Sequence, residues 1–176
     1  VGRGGWIDWA QVREAIAGYI RKTHGVEADA NCIYMTCGAA ASLTISLSAI
    51  CVPGDEVITF APYFTEYKVF SETAGAKLIA LDSDPDTFQI DLYKLEEAIN
   101  ERTAAVLINS PNNPSGVVYR EETIIRLAQI LRNKSAQFGK TIYLITDEPY
   151  RELVYGGVTV PYLTKYYPHT VVCYCY

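Results

Sequence analysis

Asn113, Asp147 and Tyr150 are the residues of this chain whose types and settings best suit chemistry on a bound aromatic ring. Asn113 lies in Ile108-Asn109-Ser110-Pro111-Asn112-Asn113-Pro114-Ser115-Gly116, where an apolar run from Ala104 to Ile108 gives way to a polar turn. Asp147 and Tyr150 lie in Thr146-Asp147-Glu148-Pro149-Tyr150, at the end of a second apolar run, Ile142 to Ile145. Both blocks stand where buried strands end, and in open α/β sheets ligands bind at the carboxyl ends of strands. An amide, a carboxylate and a phenol converging there suit a cofactor with a ring nitrogen and a ring hydroxyl. A carboxylate directly after Ile-Thr is expected to be partly buried, which is costly unless it is paired, and a cationic ring nitrogen would pair it. Plainer roles compete: turn formation accounts for the composition around Asn113, and Asp147 could cap a following turn.

Two more blocks carry weaker signals. In Met35-Thr36-Cys37-Gly38-Ala39-Ala40-Ala41-Ser42-Leu43, Gly38 permits a tight turn, and Ala39 and Ala40 would offer free N–H groups to an anion at a helix N-terminus. A plain strand-to-helix turn has the same composition. In Phe60-Ala61-Pro62-Tyr63-Phe64-Thr65-Glu66-Tyr67, Phe64 could lie against a flat ring, or it could fill the core as aromatics commonly do. His24 and His169 are far apart and lack metal spacing, so surface or turn roles are expected and no metal site is.

The elements that must position these residues alternate along the chain. Short, nearly continuous apolar runs at Cys32–Thr36, Glu56–Phe60, Lys77–Leu81, Ala105–Asn109, Ile142–Thr146 and Val171–Tyr176 predict strands buried on both faces. Helical spacing places Val12, Ile16 and Ile20 on one face of Trp9 to Arg21. It groups Leu95, Ala98 and Ile99 within Leu92 to Ile99, and Ile124, Leu127, Ala128 and Leu131 within Glu121 to Phe138. Asp91 suits an N-cap, and Glu121 and Glu122 suit a first turn. Pro53-Gly54-Asp55 and Asp82 to Asp86 read as turns. The alternation predicts a doubly wound α/β sheet with right-handed crossovers.

A length of 176 residues predicts one domain with a sizeable core. The net charge of −5, with no basic cluster, argues against a nucleic-acid partner. Five cysteines without zinc spacing, mostly in apolar runs, read as buried free thiols in a reducing compartment. No apolar span approaches the ~20 residues of a membrane helix, and no signal peptide is visible, so no membrane partner and a cytoplasmic location are expected. The chain opens at Val1-Gly2-Arg3-Gly4-Gly5 without Met and stops within Val171 to Tyr176, so a domain truncated at both ends is expected.

In order and spacing, Thr36-Cys37-Gly38-Ala39-Ala40, Pro62-Tyr63-Phe64, Asn113-Pro114-Ser115-Gly116 and Asp147-Glu148-Pro149-Tyr150 resemble the fold-type I, aspartate-aminotransferase-like family (class I/II) of pyridoxal-phosphate enzymes. The resemblance covers essentially the whole chain, 1–176, and corresponds to the family's large, cofactor-binding domain, a three-layer α/β/α fold with a mainly parallel sheet. The Asn-Pro-(Ser/Thr)-Gly and Asp-x-x-Tyr pair is specific at this separation; the phosphate turn is weak alone. The resemblance implies that backbone amides of Gly38, Ala39 and Ala40 cup the phosphate of pyridoxal 5'-phosphate and that Phe64 stacks on the pyridine ring. Asn113 and Tyr150 would bond the phenolic oxygen, and an ionised Asp147 would pair with the pyridinium nitrogen. Relatives often carry a hydroxyl or a longer polar side chain near position 40; Ala40 has neither, so the phosphate would rely more on backbone.

The family's Schiff-base lysine follows a Ser shortly after an aromatic-rich strand. Here that strand is Val171 to Tyr176, and no Ser-Lys follows it; Lys165 precedes the strand and does not fill the role. The family's downstream phosphate-binding Arg and the carboxylate-binding Arg of its small domain lack counterparts too. No catalytic residue is therefore expected in this chain, and the chain alone should be inactive. The resemblance implies an intact homodimeric parent that moves an amino group between an amino acid and a 2-oxo acid. Lyases and synthases of the same fold, and pyridoxal-phosphate-sensing domains of transcription regulators, stand as alternatives.

Overall fold

The structure, a computed structural model, describes residues 8–175. What was expected of Val1 to Gly5 and of Tyr176 lies outside the described residues. The described chain falls into two compact units, one ending at Thr36 and the other beginning at Cys37.

The first unit holds helix α1 (Trp9–His24) and a 3-10 turn at Ala30–Cys32. Asp8 caps α1 by accepting from the Ala10 N–H at 2.9 Å, and Gly25, in the left-handed region, ends it. The expected face is present but shallow: Val12, Ile16 and Ile20 are half-buried, and Ala17 is the buried residue. The strand expected at Cys32–Thr36 does not form. Its first residue belongs to the 3-10 turn, Tyr34 is largely exposed, and no described strand pairs with it. A β-rich run becomes a strand only when a neighbour completes its hydrogen-bond ladder.

In the second unit, α2 (Ala39–Ile50), α3 (Glu66–Thr73), α4 (Leu92–Ala98) and α5 (Glu121–Phe138) alternate with five strands. The strands are β1 (Glu56–Ala61), β2 (Lys77–Asp82), β3 (Thr103–Asn109), β4 (Tyr143–Asp147) and β5 (Thr170–Cys173), all parallel, in the order β2-β1-β3-β4-β5. Period-two alternation sends side chains to both faces. Val57, Ala105, Leu107 and Ile145 meet Leu43 and Leu47 of α2 and Tyr67 of α3. Ile58, Phe60, Val106, Ile108 and Leu144 meet Leu95 of α4 and Ile124, Leu127 and Leu131 of α5. The fold is thus the expected three-layer α/β/α with a parallel central sheet.

Asp91 caps α4 by accepting from Tyr93 and Lys94 at 3.1 Å, and Glu121 and Glu122 occupy the first turn of α5. Three expectations need correction. β2 is not buried on both faces, because it is an edge strand with its residues exposed or half-buried. β5 ends at Cys173 rather than continuing through Tyr174 and Cys175. Only Cys51 and Cys173 are buried; Cys32, Cys37 and Cys175 are exposed, since two lie in or beside turns and one follows the end of β5. No helix among the described residues is long and apolar enough to cross a membrane.

The strand order positions the site. From β1 the chain first moves outward to β2, then returns past β1 to β3 and continues to β4 and β5. The reversal opens a crevice beyond the carboxyl ends of β1 and β3, where ligands of such sheets bind. Leu127 anchors the layer that supports β3 and β4 from one side. Leu127→Ala is expected to cost about 2–5 kcal/mol in urea unfolding, whereas Ile125→Ala on the exposed side of α5 is expected to stay within about 0.5 kcal/mol.

Candidate functional site at the strand ends

Four segments meet at this crevice. Gly38 is the N-cap of α2 with φ 98° and ψ 170°, a conformation that L side chains rarely adopt. An added Cβ would meet nothing within 4 Å, so backbone conformation and not space demands glycine there. No side chain caps α2, and the first N–H groups of an α-helix have no intrahelical partner.

After β1, Pro62 to Thr65 lead into α3. Phe64 is half-buried and meets Tyr67 edge-on at 5.7 Å between ring centroids. Tyr67 is fully buried, and its hydroxyl donates to Asp147 Oδ2 at 2.6 Å.

β3 ends in Asn109, which is buried and uses its side chain as a brace. Its Nδ2 donates to the Asp147 carbonyl at 2.7 Å, and its Oδ1 accepts from the Asn113 N–H at 2.6 Å. The following turn is built by Asn112, whose Oδ1 accepts from the Ser115 N–H at 3.1 Å and from its hydroxyl at 2.7 Å. Asn113 is thereby left to face its neighbour across the crevice, and its Nδ2 donates to the Tyr150 hydroxyl at 3.4 Å.

β4 ends in Asp147. Beyond it, Glu148 accepts from the Thr146 hydroxyl at 2.9 Å and from Arg151 Nε at 2.5 Å. Arg151 also donates to the carbonyls of Val160 and Pro161, both at 3.0 Å, and lies over the Tyr162 ring. This buried network fixes the segment that carries Tyr150.

Ala39, Ala40, Phe64, Asn113, Asp147 and Tyr150 line one cleft of about 200 Å³. The structure thus brings together the residues singled out from the sequence, with Gly38 immediately before Ala39. Sequence reasoning missed Tyr67, Asn109 and the Glu148–Arg151 pair. Tyr67 stood inside a block already noted, three residues after Phe64, but its helix was not anticipated. Asn109 ended an apolar run in the position that Asp147 also occupies. Among the described residues no three or more His, Cys, Asp or Glu side chains group as metal ligands.

Comparison with known proteins fits this geometry. The family described as aminotransferase class I and II matches residues 5–176. A solved amino transferase from Eubacterium rectale is 54% identical, with a TM-score of 0.93, over 95% of this chain and 42% of that one. The aspartate/prephenate aminotransferase of Thermus thermophilus is 34% identical over 148 residues, covering 84% of this chain and 37% of that protein. The aspartate aminotransferase of Thermotoga maritima is 35% identical over 146 residues, covering 82% and 37%. The chain spans little more than a third of the length of the curated relatives it matches.

Asp147 is the electrostatic focus of the cleft. Its Oδ1 is buried with no hydrogen-bond partner. Burial pushes its carboxyl up to about 6, with Glu148 adding to the rise and the Tyr67 hydroxyl opposing it. Burial likewise raises Glu148, against the Arg151 guanidinium. Because Asp147 binds its proton more tightly folded than unfolded, its contribution to stability is fullest below pH 3.8 and is lost as pH rises through about 6. In the cofactor-free protein, Asp147→Asn is therefore expected to raise stability at pH 8 by on the order of 1–3 kcal/mol and to change it little at pH 4. Urea midpoints at the two pH values check this.

Proposed function

Because the chain belongs to the class I and II aminotransferase family, whose members are pyridoxal-phosphate enzymes, we propose that the protein carrying it moves an amino group between an amino acid and a 2-oxo acid. Residues 1–176 are its large, cofactor-binding domain. The observation that carries this reading is the buried Oδ1 of Asp147, an acceptor without a donor in a cleft lined by an aromatic ring and an amide–phenol pair. A buried acceptor of this kind is costly unless a ligand supplies the donor.

The residues fit pyridoxal phosphate group by group. The N–H groups at Gly38, Ala39 and Ala40 would hold the phosphate at the N-terminus of α2. Phe64 would lie against the pyridine ring, and Asn113 and Tyr150 would bond the phenolic oxygen. An ionised Asp147 would keep the ring nitrogen protonated. When bound, pyridoxal phosphate supplies an electron sink for the breaking of the substrate Cα–H bond. The chain's own share is binding and orientation; no residue of 1–176 is assigned as the Schiff-base lysine.

The same reading carries a homodimer in the cytoplasm that takes a small-molecule amino acid and a 2-oxo acid, with neither nucleic acid nor membrane as partner. Family membership supports the amino-acid and 2-oxo-acid substrates, and the net charge of −5 supports the lack of a nucleic-acid partner. The relatives and structures it resembles include enzymes named as aminotransferases, and this favours the aminotransferase reading over a lyase, a synthase or a regulator.

The test is binding of pyridoxal phosphate to the intact protein, followed by its absorption spectrum and by equilibrium dialysis. Asp147→Ala is expected to weaken binding at least about tenfold, the scale of a lost charged hydrogen bond, and Asn113→Ala about three- to tenfold. Transaminase turnover should fall with both. Failure of the unaltered protein to bind, or an Asp147→Ala variant that binds normally, would overturn the proposal.

A further inference from the structure

Tyr67 has no part in the roles proposed above, yet its hydroxyl bonds the carboxylate of Asp147. Its ring is fully buried, stacked beside Tyr63 at 6.5 Å and edge-on to Phe64 at 5.7 Å. Its hydroxyl reaches 80 residues along the chain to Asp147 Oδ2 at 2.6 Å, and Asp147 Oδ1 has no partner. An aspartate carboxylate turns readily about its last torsion, so the two oxygens are interchangeable unless something distinguishes them. Here a buried phenol distinguishes them. We infer that Tyr67 is a positioning residue for the cofactor contact: its hydroxyl ties down one carboxylate oxygen of Asp147 and so presents the other to a cationic ring N–H in the cleft. This rests on the pyridoxal-phosphate reading of the site.

The surroundings leave Tyr67 as the donor that matters. Glu148, next along the chain, disfavours charge on Asp147 but is itself engaged by Arg151 and Thr146. Cys173, opposite Asp147 in the sheet register, is held as a neutral thiol by burial. Tyr119 acts on Tyr67 electrostatically, and burial keeps the Tyr119 hydroxyl protonated. Among the described residues, the Asp147 carboxylate accepts one hydrogen bond, and Tyr67 gives it. A donor to the charged form favours charge. Removing the hydroxyl leaves two buried oxygens unpaired, and the carboxylate then holds its proton to higher pH. Phe64 and Tyr67 lie three residues apart, so one short segment fixes both the ring-stacking side chain and the carboxylate.

The experiment compares the intact protein with Tyr67→Phe, which keeps the ring. Two quantities are followed from pH 5.5 to 8.5: the 13C resonance of the Asp147 carboxyl without cofactor, and the Kd for pyridoxal phosphate. Tyr67→Phe is expected to move the Asp147 titration upward by about one pH unit, a factor of ten in proton affinity. The Kd then rises about fivefold at pH 6 and stays within about twofold at pH 8.5, where both proteins are ionised. A merely structural role for Tyr67 would weaken binding equally at every pH and leave the carboxyl titration in place, which would overturn the inference, as would superimposable curves. Should Tyr67→Phe not fold, 3-fluorotyrosine at position 67, a stronger donor of nearly the same shape, is expected to move the titration downward; no movement overturns the inference. If the unaltered protein does not bind pyridoxal phosphate, the functional proposal fails, and the cofactor-free titration still decides whether Tyr67 controls Asp147.

Discussion

A buried carboxylate at the end of an interior strand is the constraint on which this structure turns. β4 lies between β3 and β5, so Asp147 sits among neighbours on both sides. Its surroundings supply one side-chain donor, from Tyr67, and one brace, from Asn109 to its backbone carbonyl. Tyr67 comes from α3 and Asn109 from the end of β3, so the setting of the carboxylate depends on α3, β3 and β4 together. Asn109 extends the dependence further, because the oxygen of its amide also holds the backbone of Asn113. The acid, the amide and the phenol therefore share one frame, and their relative positions are set by packing and not by loop flexibility.

The parts of the fold most legible in sequence are those that burial writes most strongly. β1, β3 and β4 are covered on both faces, so apolar residues dominate them, and the runs at Glu56, Ala105 and Ile142 announce them. β2 at the edge carries the same kind of run but keeps half-exposed side chains, since only one neighbour covers it. Residues 32–36 have strand-like composition and form no strand, because composition cannot supply a pairing partner. α3 was unreadable because eight residues give little more than two turns of periodicity.

The candidate site divides along the same line. Asn113, Asp147 and Tyr150 were legible because strand ends in such sheets are where polar groups converge. Tyr67 and Asn109 were not, because their partners lie 80 and 38 residues away and nothing local marks the pairing. The residues a ligand would touch leave a signature of type and place, whereas those that hold them in place leave one only in three dimensions.

Asp147 and Glu148 make the distinction physical. They are consecutive buried acids, and burial raises both. Alternation points Glu148 to the side of Thr146, where a hydroxyl and a guanidinium meet both of its oxygens, and Arg151 carries on to two carbonyls of the next loop. That acid is satisfied within the chain and serves as scaffold. Asp147 points the other way, with one oxygen bonded and one bare, in a cleft. Burial of both with unequal satisfaction separates a group that completes the fold from one that the fold leaves incomplete. A bare buried acceptor is retained against its cost when a ligand completes it. The asymmetry between these two neighbours is thus the strongest internal argument that the cleft is a binding site and not a packing defect.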